Sequence, residues 1–160
     1  MKKILFLLML MLTLTACGEK KDEKNETAGL FAETLITQQN AEELLSTSVT
    51  KTVDGEGKYS SVKYYPEKVG SVPPIIVELY SEDGETEFKN RREKRPSAKK
   101  VDGIGEDAYI AYPSLVFRRS GYMAVVTAGT GGEKAEDMLK KTAEIADKNL
   151  QEYLDAYPAD

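Results

Sequence analysis

The clearest pattern of apolar and polar positions lies near the C-terminus. From residue 133 to about residue 153, small and apolar residues recur three or four positions apart, and charged residues fill the positions between them. This spacing predicts a long amphipathic helix that Pro158 ends. Its apolar face consists of Ala135, Met138, Leu139, Thr142, Ala143, Ile145, Ala146, Leu150, Tyr153 and Leu154.

Short strand-like segments at close spacing predict six strands in two groups of three, and residues 59–65 and 75–80 alternate between apolar and polar positions. The first group covers residues 48–53, 59–65 and 75–80, and the second covers 108–112, 115–118 and 122–127. The connections inside the second group are short enough for hairpins.

Two shorter helices are predicted around the first group of strands. Residues 37–45 can begin with a cap from Thr37 or Asn40, and residues 85–94 form a polar helix with Phe88 as its apolar anchor. The predicted fold is therefore α+β. A mostly antiparallel sheet of about six strands is packed by a short N-terminal helix, a middle helix and a long C-terminal helix.

Two tyrosines should point away from the apolar face of the sheet. Tyr80 lies opposite the face of Ile75, Val77 and Leu79, and Tyr65 lies opposite that of Val62. Their face is either a binding surface, which tyrosine favours, or a surface covered by a second layer of helix.

The N-terminus has the layout of an export signal. Lys2 and Lys3 precede an unbroken apolar run at residues 4–12, which is shorter than the roughly 20 residues needed to span a bilayer. The next residues, Leu14-Thr15-Ala16-Cys17, resemble the lipobox of bacterial lipoproteins. This resemblance implies that residues 1–16 are removed as a signal peptide. It also implies that Cys17 carries diacylglycerol and anchors the exported chain to the extracytoplasmic face of the cell membrane.

Other interpretations of this N-terminus are a plain signal peptide with a chance cysteine, or a buried helix. The abruptly polar residues 18–29 argue against the buried helix. They predict a flexible tether with a reach of about 40 Å when extended, followed by a single domain at 30–160.

Composition narrows the chemistry. The chain has a net charge of −5, and the chain without residues 1–16 has 20 basic and 27 acidic residues, which argues against nucleic acid as a partner. The absence of histidine excludes Ser-His-Asp and Cys-His machinery, and lipidation of the sole cysteine removes the thiol. We therefore expect no cofactor and no metal site. An enzyme that uses paired carboxylates remains an alternative.

One segment, residues 89–100, is strongly basic. Its net charge is +6, whereas the rest of the 30–160 domain carries −12. Such a segment either binds a polyanion, which could be anionic lipid, teichoic acid or an acidic envelope protein, or is a solvated surface paired with neighbouring acids. Its basic residues are Lys89, Arg91, Arg92, Lys94, Arg95, Lys99 and Lys100.

Two short stretches carry a second resemblance. Leu35-Ile36-Thr37, which opens a helix ending at Leu44-Leu45, and Gly103-Ile104-Gly105-Glu106-Asp107-Ala108 are similar to parts of small exported lipoproteins of the LpqN type. The fold of those proteins resembles that of PsbP, so the resemblance implies a PsbP-like fold. Their activities are mostly unknown, and it implies little about function.

These observations favour a membrane-tethered lipoprotein of the cell envelope with a non-enzymatic binding or protein-interaction domain. The alternatives are an accessory envelope enzyme that uses carboxylates and a structural subunit of a membrane complex.

Overall fold

The computed structural model describes residues 30–67, 73–128 and 133–158. The predicted signal peptide, Cys17 and the tether lie outside these residues. Within the described part, the chain forms four helices and seven strands, and the predicted α+β class is confirmed.

All seven strands belong to one antiparallel sheet, in the order β1-β2-β3-β7-β6-β5-β4. Both predicted hairpins, β5–β6 and β6–β7, are present. The strands are β1 (Val49–Glu56), β2 (Tyr59–Pro66), β3 (Ile75–Tyr80), β4 (Lys99–Val101), β5 (Asp107–Ala111), β6 (Ser114–Arg119) and β7 (Tyr122–Thr127). The strand beyond the predicted six is β4, whose three residues are too few for an alternating pattern to show.

The helices are α1 (Ala32–Leu35), α2 (Gln38–Leu45), α3 (Gly84–Glu93) and α4 (Glu133–Ala156). Thr37 is the residue that caps α2, because its hydroxyl accepts from the Asn40 backbone N–H at 3.2 Å while its own N–H donates to the Asn40 side chain. The helix α1 was not predicted, because its four residues make a single turn and a helical spacing cannot recur within one turn.

The sheet is covered on both faces. The main core lies between the sheet and α1, α2 and α4, and includes Leu35, Tyr64, Phe117, Leu139 and Leu150. Alternate residues of the same strands face the other way. Four of them, Tyr109, Val116, Met123 and Val125, form a smaller cluster with Phe88 of α3.

The second layer of helix decides between the two interpretations of the outward-facing tyrosines. Tyr80 packs against the cluster under α3, so its surroundings are those of a covered face. Tyr65 lies on the same side of the sheet but remains 43% exposed. The covering therefore extends over part of this face only.

A bidentate ion pair joins α4 to the end of β6. Arg119 donates from Nε and Nη2 to the two carboxylate oxygens of Asp147 at 2.5 and 2.7 Å, and from Nη1 to Gln151 at 2.6 Å. Asp147 also accepts from the Gly105 backbone N–H at 2.9 Å. Gly105 has φ +59°, and a Cβ there would lie 2.4 Å from the Arg118 carbonyl oxygen, so only glycine fits this close approach.

Replacing Asp147 tests this joint. Asp147→Ala removes two of the three acceptors of Arg119 and the acceptor of the Gly105 N–H, and both side chains of the pair are largely buried. We expect the free energy of unfolding in urea to fall by about 3 kcal/mol, near the lower end for breaking a buried ion pair.

The matched control is Lys148→Ala on the same helix. It breaks only an exposed pair with Glu152 and should cost less than about 1 kcal/mol. Equal losses of unfolding free energy in the two variants would show that the Arg119–Asp147 pair contributes no more to stability than an exposed ion pair.

Candidate anion-binding groove

The basic segment 89–100 runs from the second half of α3, through a loop, into the edge strand β4. Lys89, Arg91 and Arg92 lie on α3, Lys94 and Arg95 lie in the loop, and Lys99 and Lys100 lie on β4. The loop is held by backbone hydrogen bonds from Arg95 N–H to Arg92 O and from Ala98 N–H to Arg95 O, both 3.0 Å long. The segment is therefore an ordered turn between helix and sheet.

Arg91 and Arg92 lie against aromatic rings of the sheet. The Arg91 guanidinium is 4.9 Å from the Tyr80 ring centroid and donates to the Tyr80 hydroxyl at 2.6 Å. The Arg92 guanidinium is 5.2 Å from the Tyr109 ring centroid. Cations over aromatic faces are stabilised by the ring quadrupole. These two arginines hold α3 on the sheet, and they are only partly available to a ligand.

Burial fixes the protonation state of one of these rings. It raises the pKa of Tyr80 to about 12, and the neighbouring Glu78 carboxylate adds to the rise. The Tyr80 hydroxyl therefore keeps its proton at physiological pH and can accept from Arg91 while it donates to Glu78 at 3.1 Å.

Three of the lysines face carboxylates. These ion pairs join Lys89 to Glu85 at 3.0 Å, Lys99 to Glu136 at 2.8 Å and Lys100 to Asp102 at 3.0 Å. Exposed pairs of this kind contribute little to stability but neutralise part of the charge.

Lys94 and Arg95 are exposed and form no ion pair within the described residues. They stand at one side of an open groove of about 460 Å³. The loop and β4 supply this side, and the end of β5 with the first turns of α4 supplies the other. The remaining lining residues are Pro96, Ser97, Ala98, Lys99, Ile110, Ala111, Tyr112 and Glu136.

Glu136 places a negative charge in the groove. Its carboxylate accepts from Lys99 Nζ at 2.8 Å and is 2.9 Å from Lys140 Nζ. The hydrogen bonds from these two ammonium groups lower the pKa of Glu136 to about 2, so it stays ionised at physiological pH. Glu136 therefore pairs with two cations, Lys99 and Lys140, that would otherwise be available to a ligand.

The groove offers donors and an aromatic surface. Ser97 supplies a hydroxyl, and Tyr112 is 51% exposed. With the free cations of Lys94 and Arg95, these groups suit an anion that also carries apolar atoms. Among the described residues, no three His, Cys, Asp or Glu side chains come together as a metal site.

The sequence indicated one side of the groove and missed the other. Tyr112 and Glu136 were not singled out, because they come from elements far along the chain from the basic segment. The pairing of Lys99 with Ile110 brings β5 beside β4, and continuing this register sets Tyr112 opposite Ser97. A strand predicted at residues 99–101 and paired with β5 would have placed Tyr112 beside the basic segment.

Comparison with models of protein families, with curated proteins and with solved structures finds no match to this chain. The resemblances to the lipobox and to LpqN-type lipoproteins stay predictions. None of the helices in the described part is long and apolar enough to cross a membrane, and the apolar run at 4–12 lies outside that part.

Proposed function

We propose that this chain is a lipoprotein of the cell envelope whose domain binds anionic lipid headgroups without catalysing a reaction. The observation that carries the proposal is the pair Lys94 and Arg95, which have no acid partner among the described residues and stand beside a groove of about 460 Å³. The lipobox-like Leu14-Thr15-Ala16-Cys17 supports the location, since acylation of Cys17 would hold the domain at a membrane.

Two free cations give weak binding, which is sufficient for a ligand that is held near the groove. Each Lys or Arg near an anionic membrane is worth about 1 kcal/mol, so the pair supplies about 2 kcal/mol, a factor of about 30 in affinity. Such an interaction is weak in free solution. A tether of residues 18–29 raises the effective concentration of headgroups around the groove, and weak contacts then suffice.

Reversing the charge of these two cations tests the proposed function. The mature chain 17–160 with Cys17→Ala, which cannot be acylated, should co-sediment at low salt with phosphatidylglycerol vesicles added in large excess, which offsets the weak binding of the untethered chain, and much less with phosphatidylcholine vesicles. Lys94→Glu with Arg95→Glu should abolish the preference, because it removes the two unpaired cations. Raising the salt to 0.5 M should weaken binding of the parent, since screening shortens the Debye length to a few ångströms.

The control makes the same change of charge elsewhere. Lys141→Glu with Lys148→Glu alters two exposed lysines of α4 that do not line the groove. This control should keep the preference for the anionic vesicles. An equal loss in both double variants would reduce the effect to net charge, and binding of soluble teichoic acid in place of vesicles would assign the groove to a wall polymer.

Removing the charge of Glu136 should increase binding. Glu136→Gln should release Lys99 and Lys140 and strengthen binding to phosphatidylglycerol vesicles about five-fold, the effect of about 1 kcal/mol for one unit of charge. Because the pKa of Glu136 is about 2, lowering the pH from 7 to 5 leaves it ionised and does not produce this gain in the parent.

Glu152→Gln removes one negative charge from an exposed position of the same helix and serves as the control for Glu136→Gln. If the two variants bind the vesicles equally well, Glu136 has no special influence on the groove.

The mass of the mature protein tests the proposed anchor. In bacteria that express the full chain, the protein should have a mature N-terminus at Cys17 and the added mass of acyl chains, measured by intact mass spectrometry. Cys17→Ala should retain residues 1–16 and lack the acyl mass. Ala16→Gly keeps a small residue before the cysteine and should be processed normally. Acyl mass on the Cys17→Ala protein, or an unmodified cysteine in the parent, would refute the lipobox.

A further inference from the structure

The hydroxyl of Tyr109 is a buried polar group without a hydrogen-bond partner in the described part of the chain. The residue is 1% exposed. Leaving such a group unpaired costs free energy, and native proteins seldom tolerate it without a reason. The surroundings of this hydroxyl indicate what the reason is.

Tyr109 lies on β5 under the basic end of α3. Its ring is 5.2 Å from the Phe88 ring, between centroids, and the Arg92 guanidinium is also 5.2 Å from its centroid. Burial raises the pKa of Tyr109, and the positive charges of Arg95, Arg91 and Arg92 each oppose that rise. The three arginines thus create a positive potential at the hydroxyl, which favours an anion there.

The cluster around Tyr109 borders the groove directly. Ala98 and Ala111 pack against the cluster, and the same two residues line the groove. Arg95 lines the groove as well, and it is the cation with the largest effect on the hydroxyl. Ala98, Ala111 and Arg95 are thus shared between the groove and the surroundings of Tyr109.

We infer that Tyr109 is the specificity-determining residue of the groove, where its hydroxyl donates a hydrogen bond to an oxygen of a phosphate group that Arg95 holds. This inference rests on the proposed function and names the chemical group that is recognised. A ligand that enters beside Ala98 and Ala111 displaces the Arg95 side chain slightly and gives the hydroxyl the acceptor that it lacks.

The donors fit phosphate better than carboxylate. A guanidinium binds two oxygens of either anion side by side. A carboxylate then has no further oxygen, whereas a tetrahedral phosphate has others that point out of that plane. The Tyr109 hydroxyl and the Lys94 ammonium supply two further donors for these oxygens. A phosphodiester headgroup and inorganic phosphate share this chemistry.

Tyr109→Phe separates a ligand role from a structural one. The variant, made in the mature chain with Cys17→Ala, loses only the unpaired hydroxyl and should unfold at the same temperature as the parent or higher. Its affinity for phosphatidylglycerol vesicles should fall about ten-fold, the scale of one hydrogen bond to a charged group. Tyr122→Phe, the same change at a partly buried tyrosine outside the groove, should alter neither property.

Titration with inorganic phosphate in place of vesicles identifies the source of the phosphate. Loss of binding to both probes in Tyr109→Phe supports recognition of phosphate from either source, and loss on vesicles alone supports recognition of the lipid headgroup. If the parent binds and Tyr109→Phe binds equally well, or if the variant is destabilised with its binding intact, the inference is wrong while the proposed function stands. If the parent binds neither probe, the proposed function itself fails.

Discussion

The contact between two arginines of α3 and two tyrosine rings of the sheet fixes the position of the basic segment. α3 is a polar helix of ten residues, and Phe88 is its one large buried apolar side chain. That is little apolar area for seating a helix, so the stems and guanidinium groups of Arg91 and Arg92 must supply much of the remaining contact, over Tyr80 and Tyr109. At its N-terminus, a Cβ on Gly84 would lie 2.4 Å from the Gly121 carbonyl oxygen, so the helix begins directly against the β6–β7 turn.

These contacts at both ends determine where α3 ends. They therefore also determine the positions of Lys94 and Arg95.

This seating divides the basic segment into parts with different physical roles. The arginines on the rings stabilise the fold, and Lys89, Lys99 and Lys100 are paired with acids. Most of the formal charge of +6 is thus already used within the domain, and reversing Arg91 or Arg92 would damage the packing of α3 together with any ligand contact. Lys94 and Arg95 can be altered without that penalty, because the structure gives them no acid partner and no ring contact within the described residues.

The elements with a full period of pattern could be predicted from the sequence, and those that depend on contacts far along the chain could not. The apolar repeat of α4, the alternation in β3 and the short, closely spaced apolar runs of β5–β7 predicted the class and the antiparallel hairpins. The strand β4 escaped because Lys99-Lys100-Val101 has one buried side chain and looks like the end of a charged loop. The position of Glu136 beside Lys99, 37 residues away, depends on how α4 crosses the sheet, which no local pattern records. The burial of the Tyr109 hydroxyl could not be predicted either, because it depends on α3 covering this strand, and the sequence around Tyr109 is that of an ordinary strand.

Under the proposed function, the distribution of charge around the groove would give the domain a preferred orientation at a membrane. Residues 30–160 outside the basic segment carry a net charge of −12, so most of the surface is repelled by an anionic membrane. A domain held there by the proposed N-terminal tether would sample many orientations near the surface, and those that present its acidic surface would be disfavoured. The orientation that brings Lys94 and Arg95 to the headgroups would then be selected as much by repulsion elsewhere as by attraction at the groove. Glu136 opposes this attraction from within, since its carboxylate already binds Lys99 and Lys140. A ligand must therefore offer more than negative charge to compete, and a phosphate oxygen placed for the Tyr109 hydroxyl would supply that difference.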